Sequence, residues 1–202
     1  MIEHKFPKES LIGGWYIPEK ICDDLITYYK DNTNLAHSGQ KIEKNSNVEI
    51  VNDMRMPLDK SNPHISFRNY VMSLQEVLNN YTLKYDDSQR LPVYELEQHT
   101  NLQKYEPGQG YKVWHFEDDG KILNTALGNA RRLLVFMTYL NDVDDGGTEF
   151  KYQNIITPAK KGLTLIWPAP WTHTHRGQIS NTKTKYITTG WFSYMEKEDN
   201  GE

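Results

Sequence analysis

The sequence has little cysteine, no long apolar run and no excess of positive charge. Its 202 residues include a single cysteine, Cys22, which excludes an internal disulfide and fits a reducing compartment such as the cytoplasm. No apolar stretch approaches the ~20 residues of a membrane-spanning helix, and residues 1–8 lack the apolar segment of a signal peptide. We therefore expect a cytoplasmic protein without a membrane partner.

The charge balance argues against nucleic acid as a partner. The net charge is -4 and the pI is about 6.0, whereas nucleic-acid-binding domains carry a basic stripe. Arg131-Arg132 is too short to form one. The sequence predicts no particular oligomeric state, and its length suits one domain over residues 1–202.

The N-terminal part predicts two helices. Apolar residues recur at helical spacing over residues 21–29 and again over residues 67–81, so each segment presents one apolar face to the core. Between them, residues 32–63 are polar and predict a long loop with a strand near residues 48–51, placed over the substrate cleft.

The C-terminal part predicts short strands. Apolar runs and alternating patterns separated by turn residues mark them, with Asp144–Gly147 read as a turn; the strands are expected at residues 94–105, 133–140, 148–152, 155–157, 163–167 and 185–194. We therefore expect a mainly β fold, a double-sheet jelly roll over about residues 92–195, with buttressing helices over about residues 15–85.

Two separated patterns suggest a metal site. Side chains two residues apart on an extended strand share a face, so His115 and Glu117 can bind one ion together. Downstream, Thr-His-Thr-His contains His173 and His175, the second of which lies 60 residues after His115 (175 − 115). Two histidines and one carboxylate on one side of an ion are typical of non-haem Fe(II) oxygenases.

Lys185 is the second unusual feature. It begins a predicted strand on which Lys185, Ile187, Thr189 and Trp191 share one face. Burying an ammonium group on such a face is costly unless the group meets an anion. A dicarboxylate cosubstrate would supply that anion.

Four motifs together resemble a known family. Residues 105–117 contain Tyr-x-Pro-Gly and His-x-Glu, residues 139–150 end in Gly-Gly-Thr-Glu-Phe, residues 157–167 contain Thr-Pro and an apolar strand, and residues 175–177 are His-Arg-Gly. In order and spacing they are similar to the Fe(II)- and 2-oxoglutarate-dependent dioxygenases of the prolyl-4-hydroxylase-like branch. The resemblance covers roughly residues 94–194 and implies a double-stranded β-helix core.

The resemblance implies a role for six residues. His115, Glu117 and His175 would hold Fe(II) as the catalytic centre. Lys185, Tyr139 and Tyr105 would bind 2-oxoglutarate. It also implies O2 as cosubstrate and ascorbate as a candidate reductant.

Two details of the site differ from a simple match. His173 is an alternative to His175 as the metal ligand, because each is followed ten residues later by a lysine, Lys183 or Lys185. Only Lys185 stands at the family's spacing from Trp191, which favours His175. The family's carboxylate ligand is usually Asp, whereas this chain has Glu117, whose extra methylene moves the carboxylate by about one bond length.

The resemblance also implies an activity. It would be the hydroxylation of a C–H bond with release of succinate and CO2, acting on a prolyl residue in a peptide or protein. The same site residues would serve a hydroxylase of a free amino acid or small metabolite, because fold and iron site do not fix a substrate. A non-catalytic binding protein with a degraded iron site is the alternative of another class.

Overall fold

The computed structural model describes residues 1–42, 49–118, 120, 123–125 and 128–195. Its two helices are α1 (Glu19–Asp31) and α2 (Ile65–Lys84). Its strands are β1 (Ile2–Glu3), β2 (Gly13–Tyr16), β3 (His37–Ser38), β4 (Lys41–Ile42), β5 (Glu49–Asn52), β6 (Met54–Asp59), β7 (Tyr94–Leu96), β8 (His99–Tyr105), β9 (Gly110–Tyr111), β10 (Leu123–Thr125), β11 (Gly128–Tyr139), β12 (Val143–Phe150), β13 (Ile155–Ala159), β14 (Leu163–Pro168), β15 (His175–Gly177) and β16 (Lys185–Met195).

Both predicted helices are confirmed, and each buries the expected face. In α1 the buried positions are Cys22, Leu25 and Tyr29, at the spacing of one helical stripe. In α2 seven positions are buried, from Ser66 to Tyr81. Neither helix in the described part of the chain is long and apolar enough to cross a membrane.

The strands form a large antiparallel sheet and a small one. The main path of the large sheet runs β1-β2-β14-β11-β16-β8-β6-β3, and the small sheet has the order β13-β12-β15. One apolar cluster joins the helices to the outer face of the large sheet. A second cluster, which includes Val135, Tyr139, Phe150 and Trp167, fills the space between the two sheets. This arrangement confirms the mainly β jelly-roll core with buttressing helices.

A third sheet covers one side of the core. Its order is β4-β5-β9, with Val51 paired to Tyr111 and Asn52 to Gly110. The prediction of a long loop over residues 32–63 is therefore wrong where β3, β4 and β6 lie, whereas the strand predicted near residues 48–51 is confirmed by β5. Residues 43–48 of that prediction lie outside the described residues. The segment is polar because its short strands are largely exposed: every residue of β3 and β4 is exposed, and only Val51, Met56 and Leu58 are buried in β5 and β6.

Two other local predictions need correction. Asp144–Gly147 is not a turn, because all four residues lie within β12, where the register with β13 shifts between Val143 and Thr148. A bulged strand needs the same Gly-rich chemistry as a turn. His115 and Glu117 do not lie on a regular strand either: His115 makes one isolated bridge, to His175.

Helix α2 is attached to the sheet by a buried hydroxyl network as well as by apolar packing. The Tyr70 hydroxyl is 2.6 Å from Thr188 Oγ1, which donates to it, and 3.0 Å from Thr138 Oγ1. Thr138 Oγ1 is in turn 2.8 Å from Thr164 Oγ1. The network links the helix to β16, β11 and β14.

We expect Tyr70→Phe to lower the free energy of unfolding by about 1–3 kcal/mol, because it leaves the buried Thr188 hydroxyl without its acceptor. Urea unfolding measures the change. Tyr152→Phe is the control, since Tyr152 is 59% exposed. An equal effect of the two substitutions would contradict the network's contribution.

Candidate metal and cosubstrate site

A short backbone bridge brings the two distant histidines together. The amide of His115 donates to the carbonyl of His175 at 3.0 Å, and the amide of His175 donates back at 2.8 Å. On the other side, β15 pairs with β12, so that Phe150 lies opposite His175. The amide of Glu117 donates to the carbonyl of Ala169. Residues 60 positions apart are thus held by main-chain bonds.

Both imidazole rings are oriented by their Nδ1 atoms. In each case Nδ1–H donates to the carbonyl two residues earlier: Val113 for His115, at 3.1 Å, and His173 for His175, at 2.8 Å. A ring that donates from Nδ1 carries its lone pair on Nε2, the usual state of a metal-binding histidine. Burial lowers the pKa of His175 to about 4, so that ring is neutral at physiological pH.

The carboxylate of Glu117 divides its two oxygens between different partners. Oε1 lies 3.2 Å from His115 Nε2 and 3.9 Å from His175 Nε2. Oε2 accepts from Arg132 Nη1 at 3.2 Å and from Trp191 Nε1 at 3.1 Å. Burial alone would raise the pKa of Glu117, but the adjacent imidazoles and the positive charge of Arg132 outweigh burial and lower the pKa to about 2.

The three groups fit one divalent ion. Ligand atoms of His115, Glu117 and His175 all lie within 4.8 Å of one another. An octahedral ion with bonds of about 2.1 Å keeps adjacent ligand atoms about 3 Å apart, close to the spacing of His115 Nε2 and Glu117 Oε1. Two neutral imidazole nitrogens and one carboxylate oxygen are the donor set of non-haem Fe(II) sites.

The three groups face a cavity of about 270 Å³ between the two main sheets. The inner face of the large sheet supplies most of its wall, and the small sheet contributes Thr148, His175 and Gly177. All six sequence-predicted site residues line this cavity: His115, Glu117, His175, Lys185, Tyr139 and Tyr105. The predicted face of β16 does so too, with Lys185, Ile187, Thr189 and Trp191.

Lys185 is buried in the cavity wall, 5% exposed. Its ammonium group donates to the carbonyls of Gly146 and Gln178 at 3.0 and 2.9 Å. Burial lowers the pKa of Lys185 to about 8. The group therefore stays mostly charged at neutral pH while its partners are neutral, and an incoming anion would be a better partner.

Close packing around Lys185 explains the two glycines of the Gly-Gly-Thr motif. A Cβ on Gly146 would lie 3.2 Å from Lys185 Cδ and 2.6 Å from Val143 Cγ1, and a Cβ on Gly147 would lie 2.0 Å from the carbonyl oxygen of Thr157. Side chains at these positions would displace the Lys185 stem or the β12–β13 pairing. The two glycines let both strands approach the lysine.

The two tyrosines differ in their surroundings. The Tyr139 hydroxyl is 2.7 Å from Thr148 Oγ1 and 2.8 Å from Thr157 Oγ1. The Tyr105 hydroxyl accepts from Gln103 Nε2 at 3.0 Å, and the Tyr105 ring lies under the Lys185 ammonium at 5.3 Å. Burial raises the pKa of Tyr139 to about 12 and raises that of Tyr105 further. Both hydroxyls remain neutral hydrogen-bonding groups.

His173 faces away from the cluster. Its Nε2–H donates to the carbonyl of Ser10 at 2.9 Å, and its Nδ1 accepts from the Thr172 hydroxyl at 3.0 Å. The ring is buried rather than on the surface, but both of its nitrogens form hydrogen bonds with groups other than His115, Glu117 and His175. Among the tryptophans of this part of the chain, Trp167 and Trp191 line the cavity, whereas Trp114 and Trp171 are exposed.

Sequence reasoning missed Arg132 and the charged pair Asp53–Arg55. Arg132 contacts Glu117, and its guanidinium lies 3.5 Å from the centre of the Trp191 ring. Arg55 lines the cavity and donates to Asp53 Oδ1 at 3.0 Å, while the Asp53 carboxylate also accepts from Gln103 Nε2. Arg55 is positioned by the pairing of β6 with β8, opposite Gln103, and Arg132 by the pairing of β11 with β16. Neither pairing follows from the local sequence pattern.

The comparison with protein families agrees with this geometry. Residues 100–193 match the family model of the 2OG-Fe(II) oxygenase superfamily. This segment carries an oxygenase domain of that superfamily. The oxygenase is therefore a 2-oxoglutarate-dependent dioxygenase, and the family implies Fe(II), 2-oxoglutarate and O2. No curated protein matches the sequence.

Solved structures share the fold of the oxygenase at low identity. A viral collagen prolyl hydroxylase from Paramecium Bursaria Chlorella virus-1, in a 2OG complex, is 19% identical with a TM-score of 0.62, covering 92% of this chain and 97% of that one. A Pseudomonas putida prolyl-4-hydroxylase is 15% identical with a TM-score of 0.65, covering 91% and 92%. A prolyl hydroxylase from Trichoplax adhaerens, in complex with a hypoxia inducible factor oxygen degradation domain peptide fragment, is 14% identical with a TM-score of 0.61, covering 91% and 83%. The prolyl-4-hydroxylase-like fold expected from the sequence is thereby confirmed.

Proposed function

We propose that the oxygenase hydroxylates a prolyl residue in a peptide or protein, with Fe(II) held by His115, Glu117 and His175. The observation that carries this proposal is the meeting of the three side chains at one end of a cavity whose wall also holds the buried Lys185. Metal and dicarboxylate sites in one enclosed space are what a 2-oxoglutarate-dependent reaction requires. We infer that residues 1–202 act as one domain, since the helices of the 15–85 buttress pack on the jelly-roll core of residues 92–195.

The cosubstrate assignment follows from charge and hydrogen bonding. Lys185 would pair with the distal carboxylate of 2-oxoglutarate, as a compact charge that needs no particular orientation. The Tyr139 hydroxyl would donate to the same carboxylate while it accepts from a threonine. Tyr105 would bound the ligand with its ring and hydroxyl, which Gln103 already fixes.

Each residue has a defined task in the reaction. Bound Fe(II) with 2-oxoglutarate supplies the oxidation of a substrate C–H bond by O2, with release of succinate and CO2. His115 and His175 keep their Nε2 lone pairs directed at one point, because their Nδ1 protons are bonded to main-chain carbonyls. Glu117 contributes its negative charge at the same point. Val135, Met137, Trp167 and Ile187 line the cavity with apolar surface, which excludes water around the reacting groups.

The substrate class rests on the structural neighbours. They are prolyl hydroxylases by name, and one is bound to a peptide fragment. Two aromatic side chains lie beside the candidate metal ligands, Tyr111 and Trp191. The ring of Tyr111 stacks on His115 with ring centres 3.6 Å apart. A prolyl ring packs well against such surfaces.

The test of substrate class is mass spectrometry of a panel of proline-containing peptides, incubated with enzyme, Fe(II) and 2-oxoglutarate. We expect a gain of one oxygen on a prolyl residue of a peptide. Free proline and other free amino acids are included as competitors. Oxidation of a free amino acid alone would mean that the substrate is a small molecule rather than a peptide. Succinate formed without oxidation of any peptide or free amino acid would support the enzyme class but contradict the proposed substrate class. Ascorbate as reductant and a cytoplasmic location stay predictions.

The choice between the two histidines has a direct test. We expect His175→Ala to abolish stoichiometric binding of Co(II), a redox-stable substitute for Fe(II), and succinate formation with Fe(II). His173→Ala should keep both, because the His173 carbonyl that orients His175 belongs to the backbone. It should still lower the melting temperature, since the buried ring loses its bond to Ser10. The reverse pattern of metal binding would show that His173 is the ligand.

Lys185→Ala tests the cosubstrate site separately from the metal. Loss of one partner of a buried charge pair costs about 3–5 kcal/mol, so we expect 2-oxoglutarate affinity to fall on the order of 10²–10³-fold. Co(II) binding should persist, because no metal ligand changes. Lys183→Ala is the matched control, since Lys183 is half exposed and pairs with Asp144. Unchanged affinity in Lys185→Ala would mean that the cosubstrate is anchored elsewhere.

The same lysine predicts a pH dependence. The pKa of Lys185 in the free protein is lowered to about 8, and only the ammonium form pairs with a carboxylate. As the pH rises above about 8, the neutral amine must first gain a proton, so 2-oxoglutarate affinity should fall by about tenfold per pH unit. Titration calorimetry between pH 7 and 10 measures this slope. Lys185→Ala should remove it, and a slope that persists in the variant would assign the titration to another group.

A further inference from the structure

Glu117 is held from the side opposite to the histidines. Its Oε2 has two donors, Arg132 Nη1 and Trp191 Nε1, at 3.2 and 3.1 Å. Only Oε1 faces the two imidazoles. The carboxylate is therefore fixed in rotation as well as in position.

Arg132 is itself fixed by two further contacts, with Glu97 and Trp191. The Nε of Arg132 donates to Glu97 Oε1 at 3.4 Å. The Cζ of Arg132 lies 3.5 Å from the centre of the Trp191 ring, over the face of that ring. Glu97 in turn accepts from the Ser193 hydroxyl at 2.6 Å. The pairing of β11 with β16 shifts register between Arg132 and Leu134, and such irregularities redirect a side chain. The guanidinium is a preorganised donor rather than a mobile surface group.

We propose that Arg132 is a positioning residue that makes Glu117 a one-oxygen metal ligand. This inference rests on the proposed function, because it concerns the same metal site. Glu117 has one more rotatable bond than the aspartate usual at this place, so its carboxylate can otherwise turn and offer both oxygens to an ion. Arg132 occupies Oε2 and leaves Oε1 for the metal, which keeps a further coordination position open for the cosubstrates.

The length of the side chain gives the proposal its test. An aspartate at position 117 would withdraw the carboxylate by about one bond length, which takes it out of hydrogen-bonding range of Arg132. Arg132 should then matter for metal binding in the Glu117 protein and not in Glu117→Asp. The positive charge of Arg132 also repels a bound cation, but it does so in both proteins and cancels in the comparison.

The experiment is a double-mutant cycle on Co(II) affinity in the full-length chain without cosubstrate. Its members are the wild type, Arg132→Gln, Glu117→Asp and the double variant. We expect Arg132→Gln to weaken Co(II) binding at least tenfold more in the Glu117 background than in the Asp background, in line with the 10–100-fold effects of groups that orient metal ligands. Equal effects in the two backgrounds would overturn the proposal, because a merely structural arginine acts on both alike.

Controls separate the possible failures. Arg131→Gln removes a neighbouring arginine that is exposed and bonded to Asp118, and it should leave Co(II) affinity unchanged in both backgrounds. If Arg132→Gln does not fold, as judged by its melting curve, Arg132→Lys replaces it, because lysine keeps the charge but cannot contact Glu97 and Glu117 as a fork. If the wild type binds Co(II) no better than His175→Ala, the proposed metal site itself is wrong. If it binds and the cycle shows no coupling, only the role of Arg132 is wrong.

Discussion

The site depends on the pair of main-chain hydrogen bonds between His115 and His175. They join the segment after β9 to β15, and each histidine then orients its ring by the same local bond, from Nδ1–H to the carbonyl two residues earlier. The arrangement is nearly symmetric, so both Nε2 atoms face one point without any side chain having to hold the rings. This explains why Thr-His-Thr-His contains one ligand candidate and one structural histidine. The backbone of His173 serves the cluster while its ring contacts Ser10 on the opposite side.

The cavity places opposite charges at different positions along one sheet face. Glu117 contributes a negative charge beside the imidazoles, and Lys185 contributes a positive charge further along β16. The lysine is costly to keep there, because its burial lowers its pKa and its partners are neutral carbonyls. Natural proteins keep such groups where activity requires them. A carboxylate bound at Lys185, as in the proposed cosubstrate site, would relieve this cost and would link ligand binding to protein stability.

Sequence periodicity predicts the inner face of β16, because side chains alternate along that strand. It also predicts that His115 and Glu117 lie together, although the structure holds them on an irregular segment rather than on a regular strand. It does not predict the role of Arg132, since that contact arises from a register shift between two long strands. It also misreads Asp144–Gly147, because glycine supports a bulged strand as well as a turn. The polar composition of residues 32–63 does not reveal the short strands β3 to β6, because β5 and β6 form by pairing with the distant β9 and β8. Local pattern therefore identifies the candidate ligands but not the groups that hold them.

The third sheet connects one wall of the cavity to the ring of His115. Val51 of β5 pairs with Tyr111 of β9, and the Tyr111 ring stacks on His115. Gly39, Lys41, Val51 and Arg55 line the cavity from the same polar segment. A displacement of β5 by a bound substrate would act on the ring of His115 through a single intervening residue. Since stacked rings in close contact cannot shift independently, this wall of the cavity and the candidate ligand His115 form one mechanical unit.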